Sequence, residues 1–215
     1  MKKILLGMTL LSTVAMGAEG TNLYLRAGAD INGKFDVVKP EASEPANKRD
    51  AKDFGYEFST EITKEIYKDL EIGVGISYQD HGSPERLVIG THKDTKLNMP
   101  KIKSTPVYFT TKYNLPVNTM VKPYLKADLG YSFNSISGKF KVEDFAFDES
   151  YSFPTEIKDG AYFGIGAGIE YNNLTADIMY KINKSKIKIE TPNGTIKDNL
   201  DYSRITLSVG YKFNF

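Results

Sequence analysis

The chain has no cysteine. An exported protein without cysteine has no disulfide framework, so its fold must be held by burial and hydrogen bonding alone. A cysteine-linked lipid anchor is excluded for the same reason. After the first few residues no apolar run approaches the roughly 18 residues that a membrane-crossing helix needs. Charge of one sign is lacking as well: 28 Lys and Arg stand against 27 Asp and Glu. That balance excludes a nucleic-acid partner recruited by basicity. No phosphate-binding glycine loop is present, and the two histidines, His81 and His92, do not cluster with cysteines as a transition-metal site would. The loop carboxylates form no spaced Ca²⁺ ligand set either. No cofactor and no metal are expected.

What is present begins with Met1-Lys2-Lys3, a positive n-region, followed by an apolar segment from Ile4 to Val14 and by small residues at Ala15-Met16-Gly17-Ala18. This order reads as a secretory signal peptide over residues 1–18, with cleavage after Gly17 or Ala18. Residues 19–215 then form one domain. Only 40% of the chain is hydrophobic, which would suit a soluble protein. A membrane barrel has the same average, because each strand gives polar residues to the interior and apolar ones to lipid.

The chain's last stretch, from Tyr202, alternates strictly. Ile205, Leu207, Val209, Tyr211, Phe213 and Phe215 share one face; Arg204, Thr206, Ser208, Gly210, Lys212 and Asn214 share the other. A strand of about 9–11 residues can cross a bilayer at a tilt, whereas soluble strands are usually about 5–6 residues. Seven further segments alternate in the same way: Leu23–Gly33, Phe54–Ile66, from Leu70 to Gln79, Thr105–Tyr113, Val121–Phe133, Gly160–Tyr171 and Leu174–Ile182. Their connections run long, short, long, short, long, short, long. The short ones are Tyr67-Lys68-Asp69, Asn114–Thr119 and Asn172-Asn173. The long ones, Lys34–Asp53, Asp80 to about Lys103, Ser135–Glu156 and Asn183 to about Asp201, are polar and read as external loops. The alternation of Ile187 and Ile189 with Lys186 and Lys188, and the aromatics of the third loop, suggest strand extensions there. Even strand number, short turns at one end and long loops at the other define a closed transmembrane barrel, since an open sheet edge in lipid would leave N–H and C=O groups unpaired.

The ending Tyr211-x-Phe213-x-Phe215 resembles the C-terminal signature of bacterial outer-membrane β-barrels. With the eight-strand rhythm, the whole mature chain is similar to the small eight-stranded outer-membrane barrels, the outer membrane protein A barrel and opacity-protein groups. The resemblance implies an all-β, closed, antiparallel up-and-down barrel in the outer membrane, monomeric, with both termini periplasmic. It also implies that the barrel-assembly machinery recognises the final strand through Tyr211, Phe213 and Phe215.

One face of the strands carries no charge and has aromatics near both ends, as the two membrane interfaces require. The other face holds Arg26, Asp30, Glu57, Glu61, Glu71, Lys112, Lys126, Asp128, Glu170, Asp177, Lys181, Arg204 and Lys212. An eight-stranded barrel is only wide enough for side chains to fill it, and an unpaired buried charge is costly. The near balance of acids and bases therefore suits a packed ion-pair network, with Gly73, Gly75, Gly164, Gly166 and Gly168 leaving room for Arg26, Arg204 and Tyr162. A narrow channel lined by these charges is the alternative. Asp80-His81-Gly82-Ser83 sets an acid, a base and a hydroxyl in a row, which raises a lipid A-modifying enzyme as a second alternative. Triads gather residues from separate segments, and this tetrapeptide is ordinary turn composition, so no catalytic residue is assigned. The expected role is structural or adhesin-like. Membrane lipid surrounds the barrel, and the loops present a binding surface to host or other cell-surface ligands, because loops on a rigid scaffold are where binding resides.

Overall fold

A computed structural model describes residues 20–36, 48–84, 87–88, 95–144, 149–191 and 194–215. The expected signal peptide, His92 and parts of the four long connections lie outside the described residues. Eight long strands run through the molecule: β1 (Thr21–Asp36), β2 (Tyr56–Tyr67), β3 (Leu70–Asp80), β4 (Lys101–Asn114), β5 (Lys122–Ser137), β6 (Gly160–Tyr171), β7 (Leu174–Asn183) and β8 (Tyr202–Asn214). Each is antiparallel to its neighbour in sequence, and β8 pairs with β1 to close the ring. The seam runs from Asn22 opposite Asn214 to Phe35 opposite Tyr202. At the end nearest the termini the Phe215 amide donates to the Thr21 carbonyl at 3.0 Å, and the Gly20 amide to the Phe215 carbonyl at 3.1 Å. No sheet edge is left in the membrane.

The turns follow their local chemistry. Asn172 and Asn173 both have positive φ, 45° and 69°, the pairing that a two-residue turn needs to match strand twist, and asparagine tolerates it better than bulkier residues. Asp69 takes φ 65° in the β2–β3 turn. Between β4 and β5 the connection is Leu115–Val121 rather than Asn114–Thr119, because Asn114 stays in the ladder opposite Tyr124. Pro106 sits inside β4. It lacks an N–H to donate, and the β3–β4 pairing accordingly lapses between Ile76–Val107 and Gln79–Ser104, while Pro106 still lies opposite Ser132 of β5.

The strands reach further outward than their alternation suggests. β4 starts at Lys101 instead of Thr105, and β5 continues to Ser137. The described parts of the long connections are themselves β-structure. In the third loop Phe140–Asp144 pairs with Glu149–Phe153, and Thr95–Asn98 of the second loop joins the same sheet. In the fourth loop Lys186–Thr191 pairs with Gly194–Asn199, and Thr155–Lys158 adds a third strand.

Polarity is inverted across the barrel wall. Phe58, Phe109, Ile165 and Val209 are 58–72% exposed on the outer face, while Arg204, Glu61 and Lys112 are 1% exposed inside. Above the barrel the order reverts. Phe35, Ile102, Ile187, Ile189, Leu200 and Tyr202 form a buried apolar cluster, with Phe140, Phe153 and Ile157 packed against it. The molecule thus has a polar interior within the membrane and an apolar core beyond it.

Leu207 lies near the middle of β8 and faces outward, 50% exposed. Leu207→Arg is expected to destabilise the barrel in lipid vesicles by about 2–4 kcal/mol, the cost of a cation at mid-bilayer. Ser208→Ala, one residue along and facing inward, is expected to change little. Urea unfolding of both variants in vesicles measures the difference.

Candidate functional site

The interior is built from side chains at alternate positions of all eight strands, since successive residues point to opposite faces. It stacks in three storeys. Nearest the short turns, Lys112 Nζ donates to Glu170 at 2.5 Å and to Tyr24 Oη at 2.9 Å, and lies 3.4 Å from Glu71. Glu71 also accepts from Thr63 Oγ1 at 2.6 Å and from Tyr24 Oη at 2.9 Å. Lys212 closes on Glu170 from β8.

In the middle storey Glu61 accepts from Arg26, from Lys126 at 2.6 Å and from Tyr108 Oη at 2.9 Å. Arg26 Nε lies 3.2 Å from Asp177, and Asp177 accepts a hydrogen bond from Tyr124 Oη at 3.0 Å. Lys126 also reaches Asp128 at 3.2 Å, and Thr110 donates to the same carboxylate at 2.7 Å. In the outer storey Glu57 pairs with Lys181 and with Arg204 at 3.1 Å. Arg204 Nε meets Asp30 at 3.2 Å, and Thr206 and Tyr202 donate to Asp30 at 2.8 and 3.2 Å.

All thirteen charged residues named from the sequence therefore lie inside, each with an opposite charge within 4 Å. Removing one member of such a network leaves an uncompensated buried charge, which typically costs about 3–5 kcal/mol. Sequence reasoning missed the tyrosines. Tyr24, Tyr108 and Tyr124 each donate a phenol proton to a carboxylate, and their inward position on the polar side of the alternation was the available signal. The room-making glycines also serve different neighbours. A side chain at Gly75 would strike the Tyr108 ring, one at Gly168 the Tyr124 ring, and one at Gly210 the Arg26 stem.

His81 is not an exposed loop residue. It is fully buried beneath the apolar cap, its ring 4.3 Å from that of Tyr202. Its Nε2 lies 2.9 Å from Ser104 Oγ, and Ser104 donates its own proton to Asn134 Oδ1 at 2.7 Å. Nε2 must therefore carry the hydrogen, and Nδ1 is left with no partner. Asp80 is turned to the Gly82 amide at 3.0 Å and to Lys103 at 3.7 Å. Acid, base and hydroxyl of the tetrapeptide are not aligned as a relay. Among the described residues no group of three His, Cys, Asp or Glu is placed to hold a metal ion.

Tyr211, Phe213 and Phe215 lie on the outer face at the rim that carries the short turns, 40–46% exposed, with the first two rings 4.8 Å apart edge to face.

The chain matches the outer membrane protein beta-barrel domain family over residues 4–213, and it belongs to that family. It is therefore an outer-membrane β-barrel protein. A curated relative, the uncharacterized protein PM1543 of Pasteurella multocida, is 26% identical over 236 residues, covering 99% of this chain and 98% of that one. Among solved structures it is similar to the outer membrane protein OprG from Pseudomonas aeruginosa, at 15% identity and TM-score 0.59, over 92% of this chain and 97% of that one. It is also similar to the outer membrane protein AlkL, solved in lipid bilayers, at 14% identity and TM-score 0.50, over 94% and 95% of the two chains. At these identities the two structures share the fold alone.

Burial, with a smaller contribution from the Arg204 cation, holds the His81 imidazole well below its ordinary protonation range. The unfolded cap protonates near the free value of about 6.5, so His81 contributes no pH dependence above that. As pH falls below it, the opened form binds the proton preferentially and the cap loses stability. Protonation would also place a second cation beside Arg204. Protection of the Ile102 and Leu200 amides, with exchange corrected for its intrinsic pH dependence, is expected to fall between pH 7 and 5, and His81→Phe to flatten that dependence.

Proposed function

We propose that this barrel is a sealed scaffold whose work lies in its external β-platform, which binds surface partners in an adhesin-like manner. The observation that supports this reading is the burial of the interior at every height: Glu71 and Lys112, Glu61 and Lys126, Glu57 and Arg204 are each 1–5% exposed. A water-filled passage would leave its lining accessible, so a narrow porin is disfavoured. Burial of His81 disfavours a lipid-modifying hydrolase. The platform offers what a binding surface needs, a paired backbone fixed to a rigid support.

The test uses cells displaying the full chain, compared with a variant in which residues 139–153 are replaced by a short Gly-Ser turn. Adherence to epithelial cells and matrix is expected to fall to the vector level in the variant, while its barrel still migrates differently unboiled and boiled. Equal adherence by both, or steady single-channel conductance of the intact protein in planar bilayers, would sink the reading.

We further propose that Tyr211, Phe213 and Phe215 form the signal by which the assembly machinery takes up the last strand. Their exposure on one edge of the closing strand supports it. Deleting Phe215 is expected to lower the outer-membrane yield several-fold while purified chain still refolds in detergent. An unchanged yield in the membrane would count against the signal.

A further inference from the structure

On β7 the even-numbered residues face lipid: Ile178 and Tyr180 are 48% and 45% exposed. The same parity continues past the membrane. Lys184 and Lys186 are exposed and Lys188 half-buried on the outer side, while Ser185, Ile187 and Ile189 are buried. A column that is apolar and aromatic in lipid thus becomes a column of lysines directly above it. Neighbouring strands add to it. Lys158 lies directly opposite Lys186, and Lys197 directly opposite Lys188. Together they line a cleft of about 390 Å³ with Asn199 and one acid, Asp198.

Like charges directly opposite on adjacent strands destabilise a sheet. Part of this charge is met within the chain. Lys184 pairs with Asp201 at 2.6 Å, and Lys188 with Glu190 at 2.7 Å and Glu156 at 3.8 Å. Lys158, Lys186 and Lys197 have no carboxylate within 4 Å among the described residues. Two of the three form the outer-face partners of a cross-strand pair, and all three line the one cleft.

Height decides what they meet. A strand rises about 3.3 Å per residue and tilts by about 35–45°, so Lys184 and Lys186 lie roughly 10–15 Å beyond Tyr180. Tyrosines of the aromatic belt sit at headgroup level, and a lysine stem can reach back toward the interface. The corresponding column above β5 runs through Tyr131 and Phe133 to Ser135 and Ser137 before it reaches Lys139.

We infer that the face formed by Lys158, Lys186 and Lys197 binds the phosphate groups of the anionic glycolipid in the outer leaflet. The inference rests on the outer-membrane location and goes beyond the adhesin reading, since its ligand belongs to the cell's own membrane. Each lysine near an anionic lipid surface strengthens binding roughly two- to fivefold, so three together amount to a 10- to 100-fold change in affinity.

The experiment titrates the full chain, folded in detergent, with phosphatidylcholine vesicles doped with bisphosphorylated lipid A. A triple variant, Lys158→Gln, Lys186→Gln and Lys197→Gln, is expected to bind 10- to 100-fold more weakly, and the matching Lys→Arg triple to bind like the parent. Lys139→Gln with Lys141→Gln, on the third loop, is expected to leave binding unchanged, and dephosphorylated lipid A to bind all forms poorly. Heat-modifiable migration of each variant shows that it is folded. Parental binding by the folded glutamine triple overturns the proposal. So does tighter binding of a soluble sulfated oligosaccharide than of the lipid by this same face, which would make it a site for free polyanions. Cell fractionation tests the outer-membrane location separately, because the vesicle titration does not depend on it.

Discussion

In hydrocarbon no water is available to satisfy an N–H or C=O group, and each one left unpaired costs several kcal/mol. Closure of β8 on β1 answers that constraint, and the rest of the molecule follows from it. With eight strands the ring is too narrow for water to fill, so the polar side of every strand must satisfy itself against the others. That is why thirteen charged side chains and four tyrosines meet at hydrogen-bond distance inside the barrel. Glu61 is the clearest case, taking Arg26 from β1, Lys126 from β5 and Tyr108 from β4. The interior is held by pairs that span the ring rather than by neighbours in sequence.

The same geometry separates two kinds of work. Inside the membrane the side chains are committed to one another and leave little for a solute to engage. Beyond it the strands continue but the rule changes, because water now covers the outer surface. Ile187 and Ile189 then turn toward a conventional apolar core with Phe35, Ile102 and Leu200. The exposed side of that extension is free to bind, and this is where the lysine face and the loop hairpins lie. Rigidity is supplied from below, and in the function proposed here recognition comes from above.

Much of this was legible in the alternation. The eight barrel strands and the parity that divides lipid face from interior can be read from residues such as Leu207 and Ser208. The two-asparagine turn announces itself through its need for positive φ. The outer region was less legible, for a physical reason. Lys186 and Lys188 read as a solvated loop because charge dominates a short window, yet their parity with Ile187 and Ile189 was already that of a strand. His81 gave no local sign of burial, since the ring packed on it, Tyr202, comes from the last strand. The partners within the interior were equally hidden. Sequence shows that Gly75 is small, but not that the ring of Tyr108 on the next strand is what occupies the space.

The apolar cap above the barrel mouth gives the molecule a direction. The segments that form it come from both ends of the chain and from its middle, so it packs only once the strands beneath have brought them together. Phe35 and Tyr202 are at once the last register of the closing seam and members of the cap. Whatever loosens that end of the seam therefore also opens the core above it.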